Sequence, residues 1–222
     1  FHDPGTQFRY GIHATIVGKL IEVWSSQPFE EFLNEQLLDP LHMDGTMFWA
    51  SGDDAERLAV VYRPTNGRLH PYQIDSFPFT SRPRLIEGGV GMLSTVMDYM
   101  HFSQMILNGG VFNDKRVLQE ATVGLMFQNA VPEQAMPIGS SGYWLGSGWT
   151  LGGFNLVMDT SAYNFPVSAD TVWWDGSAGT RYLIDPVQNT IIVIMAQVSP
   201  SSGGGFRENF SLLVDAAIIE RR

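Results

Sequence analysis

Lys19 and Lys115 are the only lysines in the 222 residues. A serine becomes a nucleophile when a lysine one helical turn later, in the spacing Ser-x-x-Lys, can accept its proton. Three residues before these lysines stand Ile16 and Phe112, so the sequence contains no such pair. The other common nucleophile, the Gly-x-Ser-x-Gly elbow, needs a sharp turn from strand to helix. The nearest approach is Asp175-Gly176-Ser177-Ala178-Gly179, which has aspartate at the first position and lies between two strand-like stretches. It does not read as an elbow.

Other chemistries find less support. The histidines at 2, 13, 42, 70 and 101 never fall in His-x-x-x-His or Glu-x-x-His spacing, which would gather metal ligands on one helix face. Zero cysteines exclude disulfides and thiolate metal sites. Neither a P-loop nor a Gly-x-Gly-x-x-Gly after a strand is present, so no nucleotide or other cofactor is expected. A net charge of −10 disfavours nucleic acid, whose phosphates need clustered Lys and Arg. The longest apolar run, 190–198, is far short of the roughly 20 residues of a transmembrane helix.

The elements that would position a site follow from periodicity. Ile12, Ile16, Leu20 and Val23, widened by Val17 and Ile21, predict a helix over 12–24. Pro28 opens a second over 29–38, with Glu30 and Glu31 in the turn where the helix dipole favours acids. Residues 51–84 read mostly as loop. Ser94-Thr95 heads a helix to about Leu107, with Ser94 assigned to capping, and another helix is expected over 119–127. Strands are expected over 143–151, 171–175, 180–184 and 190–197, with Asp185-Pro186-Val187-Gln188-Asn189 as a hairpin turn. The 190–196 stretch is apolar on both faces and so is expected at the centre of a covered sheet. After a Gly203-Gly204-Gly205 linker, Phe210, Leu212, Leu213, Ala216, Ala217 and Ile218 predict a last helix packed across that sheet. The division is a helical and loop region over 1–142 and a strand-rich region over 143–222, together forming part of one catalytic unit. Helices first and antiparallel strands later make the fold class α+β.

Several stretches, in order, resemble one superfamily, the serine β-lactamases and DD-peptidases, and within it class C β-lactamases and family VIII carboxylesterases. Pro4-Gly5-Thr6-Gln7-Phe8-Arg9-Tyr10 followed by Gly18-Lys19-Leu20-Ile21-Glu22 is similar to the loop and helix of the family's tyrosine motif. Phe29-Glu30-Glu31-Phe32-Leu33 and then Leu38-Asp39-Pro40-Leu41-His42-Met43-Asp44-Gly45-Thr46 resemble its "PLGM…T" segment. Gly88-Gly89-Val90-Gly91-Met92-Leu93-Ser94-Thr95-Val96-Met97-Asp98 looks like its "GGGLxSTxxD" segment, continued by Asn108-Gly109-Gly110 and Arg116-Val117-Leu118. Trp174-Asp175-Gly176, Gly179-Thr180 and Asp185-Pro186 resemble the third motif and the hairpin behind it.

The resemblance implies an antiparallel sheet flanked by helices, plus a helical subdomain. It also implies that the Ser-x-x-Lys motif and further strands lie upstream. The chain starts at Phe1 with no charged and apolar leader behind it, so it is expected to begin within a longer protein whose N-terminal segment is its partner in the site.

Roles carry over by position. Tyr10 matches the catalytic tyrosine that relays protons between nucleophile and leaving group. Ile12 stands where lactamases have the asparagine that binds the substrate's amide side chain, and it cannot make those hydrogen bonds. Trp174, Asp175 and Gly176 stand where lactamases have Lys-Thr-Gly, whose cation holds the substrate carboxylate. Trp174 offers an apolar face instead, as in family VIII esterases, while alternation turns Trp173 the other way and into the core. The Ser177 N–H matches one oxyanion-hole donor, and the absent nucleophile's own N–H matches the other.

The implied activity is that of a serine hydrolase, a carboxylesterase of small acyl esters working through an acyl-enzyme. Two alternatives stay open: a β-lactamase or D-aminoacyl peptidase, and a non-catalytic ligand-binding relative of the penicillin-binding proteins.

Overall fold

The computed structural model describes residues 2–73, 79–201 and 205–218; Phe1, Gly203 and Gly204 of the sequence reading lie outside them. The chain opens with α1, His13–Ser25, and α2, Phe29–Leu33, which runs on into a π turn at Asn34–Leu38. A short helix, α3 (Asp53–Glu56), precedes a hairpin of β1 (Tyr62–Thr65) and β2 (Arg68–Pro71). That hairpin turns at Asn66-Gly67, both with positive φ. Asn-Gly is the pair a tight hairpin turn favours, and it went unread inside a stretch taken for loop. Helix α4 (Val96–Leu107), a small ribbon of β3 (Val111–Phe112) and β4 (Lys115–Arg116), and α5 (Glu120–Leu125) follow.

Five strands then form one antiparallel sheet: β5 (Ser147–Trp149), β6 (Asn155–Val157), β7 (Val172–Asp175), β8 (Thr180–Asp185) and β9 (Thr190–Met195), in that spatial order. Helix α6 (Phe206–Ala217) closes the described chain. The sheet has two buried faces. Leu156, Val172 and Ile184 join Leu38, Leu41, Met105 and Ile106 on one side. Val157, Trp173, Leu183 and Ile192 form the other side with Phe165, and Val214 of α6 packs against them.

Several expectations need correction. The stretch expected as one strand over 143–151 begins as a 3-10 turn, Gly142–Trp144, and β6 was not foreseen. β9 stands at the sheet's end, with β8 its only strand neighbour among the described residues. Its two-sided apolar pattern is real, since Ile191 faces the first core and Ile192 and Ile194 the second. Its other edge is open among the described residues. α4 is capped by Thr95, whose hydroxyl accepts the Asp98 N–H at 3.1 Å, while Ser94 bonds Thr46 at 2.8 Å.

The two family-like segments before and inside α4 hold each other. Asp98 is buried and accepts from the Gly45 N–H at 2.9 Å, the Thr46 hydroxyl at 2.8 Å and the Thr95 hydroxyl at 2.8 Å. A carboxylate satisfied by several donors fixes the segments it bridges.

Two apolar helix faces point outward. On α1 only Gly18 is buried, against Phe29, while Ile16, Val17, Val23 and Trp24 are exposed, Trp24 at 76%. α6 packs on the sheet through Val214 and buries Arg207 and Ser211, leaving Phe210, Leu212 and Leu213 exposed. The face expected to cover the sheet is therefore the outer one. The ionic contacts of Arg207, described below, set the helix's rotation.

Candidate active site

Tyr10 ends the loop before α1, and Trp174 lies near the end of β7. Their rings meet at 5.1 Å between centroids, tilted by 42°. Tyr10 is 50% exposed, and its ring also lies 5.5 Å from Trp149 and 6.0 Å from Trp144. The loop carrying it is shaped locally: the Thr6 N–H and hydroxyl both donate to the Asp3 carbonyl, at 3.2 and 2.7 Å. Such a turn lets a short loop hold its aromatic residues at a fixed angle to the helix that follows.

Alternation along β7 sorts its side chains. Trp174 pairs in register with Tyr182 of β8, and Tyr182 packs with Tyr99 of α4, rings 5.1 Å apart. Burial raises the pKa of both phenols, and the negative charge of Asp175 adds to the rise at Tyr182. Trp173, turned the other way, is buried in the second core as expected.

Asp175 shares Trp173's side of the sheet, not Trp174's. Its carboxylate accepts from Arg181 through two nitrogens, at 2.6 and 2.8 Å, and lies 3.1 Å from Arg207 of α6. Arg181 also donates to Glu208 at 3.1 Å. Burial pulls the Arg181 pKa down, and Asp175 and Glu208 outweigh it, so the net shift is upward. Asp175 is thus saturated by guanidinium groups with 6% of its side chain exposed. Its place in this ion cluster, rather than on a substrate-facing wall, is what the geometry provides.

The turn after β7 is tight. The Gly176 N–H donates to the Thr180 carbonyl at 2.8 Å, and the Gly179 N–H to the Gly176 carbonyl at 3.0 Å. A Cβ on Gly176 would stand 2.1 Å from the Thr180 hydroxyl, so the position admits no side chain without displacing it. Ser177 is exposed at the tip. Among the described residues no carbonyl or side chain accepts from its N–H, which is left able to donate. Ile12 occupies the N-cap position of α1, is 73% exposed and lies outside the ring cluster.

Three cluster members were not singled out from the sequence: Phe8, Trp144 and Trp149. Phe8 lies 5.6 Å from each of the two tryptophans. Trp149 meets Trp174 edge-on at 4.8 Å, and Trp144 lies 5.5 Å from Trp174. The density of aromatics over 143–149 was the available signal. Among the described residues no group of His, Asp and Glu is arranged to hold a metal ion, and no helix is long and apolar enough to cross a membrane.

A family model described as Beta-lactamase matches residues 1–216. Protein Rv1367c of Mycobacterium tuberculosis is 27% identical over 206 residues, which are 90% of this chain and 51% of that protein. Unliganded simvastatin synthase (LovD) from Aspergillus terreus superposes with a TM-score of 0.84 at 22% identity, over 99% of this chain and 58% of that one. EstCE1, described as a hydrolase with promiscuous acyltransferase activity, gives 0.79 at 22% identity, over 95% and 56%. The chain spans about half the length of the curated relatives it matches.

Proposed function

The chain belongs to the beta-lactamase family of serine hydrolases and acyltransferases and has that family's fold, and on that premise we propose that the whole protein is a carboxylesterase that cleaves small acyl esters. The observation that carries this reading is the contact of Tyr10 with Trp174. It sets a proton-handling phenol against an indole where lactamases present a cation to a carboxylate, so a neutral ester suits the site better than a penicillin.

In this reading a serine on an upstream segment, one turn before a lysine, attacks the ester carbonyl. Its proton passes to the lysine and Tyr10 as the C–O bond forms. The oxyanion accepts from the Ser177 N–H and from the serine's own N–H. Tyr10 returns the proton to the departing alkoxide, which leaves as the alcohol. Water then attacks the acyl carbon, its proton passes by the same path to the serine oxygen as the serine C–O bond breaks, and the acid is released. An alcohol in place of water turns hydrolysis into acyl transfer, and the acyltransferase activity in EstCE1's description favours testing both.

The same upstream segment is proposed to lie over the exposed faces of α1 and α6 and along the free edge of β9. Open edges and wide apolar patches are what a missing neighbour leaves behind. The test is hydrolysis of short p-nitrophenyl esters by the full-length protein. Turnover that a serine-to-alanine change in the upstream Ser-x-x-Lys abolishes supports the reading. Rates equal to that control overturn it, and efficient nitrocefin hydrolysis would return the lactamase alternative.

A further inference from the structure

We propose that Phe8, Trp144 and Trp149, beside Tyr10 and Trp174, form a subsite for the flat, uncharged apolar group of an ester, larger than the small acyl group of the reading above, on whose serine-hydrolase chemistry it rests. Trp149 is the floor, buried at 8% exposure. Its backbone is fixed from both sides, its N–H donating to the Asn129 side-chain oxygen at 3.1 Å and its carbonyl accepting from the Ala130 N–H at 2.8 Å. Trp144 and Phe8 form the wall, each within 6.0 Å of Trp149 ring to ring, and both keep part of their rings open.

The turn bearing Trp144 is held in place by polar contacts of its neighbour Tyr143, while the Trp144 ring packs against other rings of the cluster. The Tyr143 carbonyl accepts from the Asn155 amide at 2.8 Å and from the Ser147 hydroxyl at 2.9 Å, and the Tyr143 hydroxyl accepts from Arg207 at 3.2 Å. The turn that carries Trp144 is therefore bonded at its neighbour's backbone and side chain. A surface ordered before a ligand arrives loses little entropy when it binds.

The chemistry of the occupant follows from what surrounds the rings. Among the described residues the guanidinium groups stacked on aromatic faces sit on Tyr72, Trp49, Phe165, Trp173 and Phe206, none of which belongs to this wall. The wall's open faces thus have no built-in cation. Aromatic rings prefer offset or edge contacts with other rings, and an apolar lining with few polar groups is what recognises an apolar ligand. Either side of the ester could carry the group, and the substrates separate the two.

The experiment compares kcat/KM of the full-length protein for 2-naphthylmethyl acetate, ethyl 2-naphthylacetate and acetylcholine, each relative to ethyl acetate. None of the leaving alcohols is a phenol, so the comparison avoids an activated leaving group. A subsite predicts at least a tenfold preference for one naphthyl ester. That ratio should fall several-fold in Trp144→Ala and be partly kept in Trp144→Phe. A general structural loss would lower both rates and leave the ratio unchanged. A ratio near one, a ratio indifferent to Trp144→Ala, or a preference for acetylcholine overturns the proposal. Preference for the acyl-side ester sinks the small-acyl reading while supporting the subsite. If no ester is turned over, the hydrolase reading fails, and titration of tryptophan fluorescence with 2-naphthylmethanol decides the subsite by itself. Saturable quenching that weakens in Trp144→Ala supports it, and unchanged or absent quenching overturns it.

Discussion

The phenol of Tyr10, from the loop before α1, and the indole of Trp174, near the end of β7, stand 5.1 Å apart. The next residue, Asp175, turns to the opposite side and into the guanidinium groups of Arg181 and Arg207. One strand end thus supplies a half-buried ring to the site and a buried anion to the scaffold.

Asp175→Asn should therefore act on stability before it acts on substrate binding. Removing one member of a buried ion pair leaves its partners charged and uncompensated, at a cost of about 3–5 kcal/mol. Urea unfolding of the full-length protein measures it. A raised KM at unchanged stability would instead make Asp175 a substrate ligand.

Gly176→Ala should lower kcat by tenfold or more, because the new methyl group meets the Thr180 hydroxyl at 2.1 Å and shifts the turn bearing the Ser177 N–H. Adding Thr180→Ala removes the obstacle. The double variant should recover most of the loss relative to Thr180→Ala alone, and a double variant as poor as Gly176→Ala would place the fault elsewhere.

Tyr99 and Tyr182 make the native state sensitive to alkali. Burial raises both phenol pKa values above the ordinary 10.0. Above that pH the unfolded chain loses these protons while the folded chain keeps them, so stability must fall as pH rises. The slope is about 1.4 kcal/mol per pH unit for each phenol until the folded group itself ionises. Unfolding at pH 9 and pH 11 should show this decline, and Tyr99→Phe with Tyr182→Phe should flatten it. An equally steep decline in the double variant would mean that these phenols ionise freely.

Residues 1–222 produced alone should be inactive and self-associating, given the free edge of β9 and the exposed faces of α1 and α6. Size-exclusion chromatography and an ester assay check both expectations. A monodisperse, active product would remove the need for an upstream segment.

The residues that chemistry singled out were more legible than the scaffold around them. Tyr10 and Trp174 could be paired from motif order alone, and the turn of Gly176 from its glycine. Asp175 was misplaced although the alternation that buried Trp173 applies equally two residues on. The apolar pattern of β9 reports its two buried faces, and the strand on its other edge is not among the described residues. The outward faces of α1 and α6 were hidden because periodicity shows that a helix has an apolar side, and only neighbours show what meets it. Phe8, Trp144 and Trp149 belong to loops and a short strand, where no period marks them, and only the folded chain brings their rings together.

The most direct test of the central claim is the acylation rate of Tyr10→Phe in the full-length protein, measured in single turnover on a short neutral ester. Loss of a group that moves the proton in the transition state costs about 10²–10⁴-fold. Acylation should slow by at least a hundredfold, with substrate affinity and thermal stability close to those of the wild type. Acylation within threefold of the wild-type rate would contradict the account, because the phenol against Trp174 would then be only a packing group.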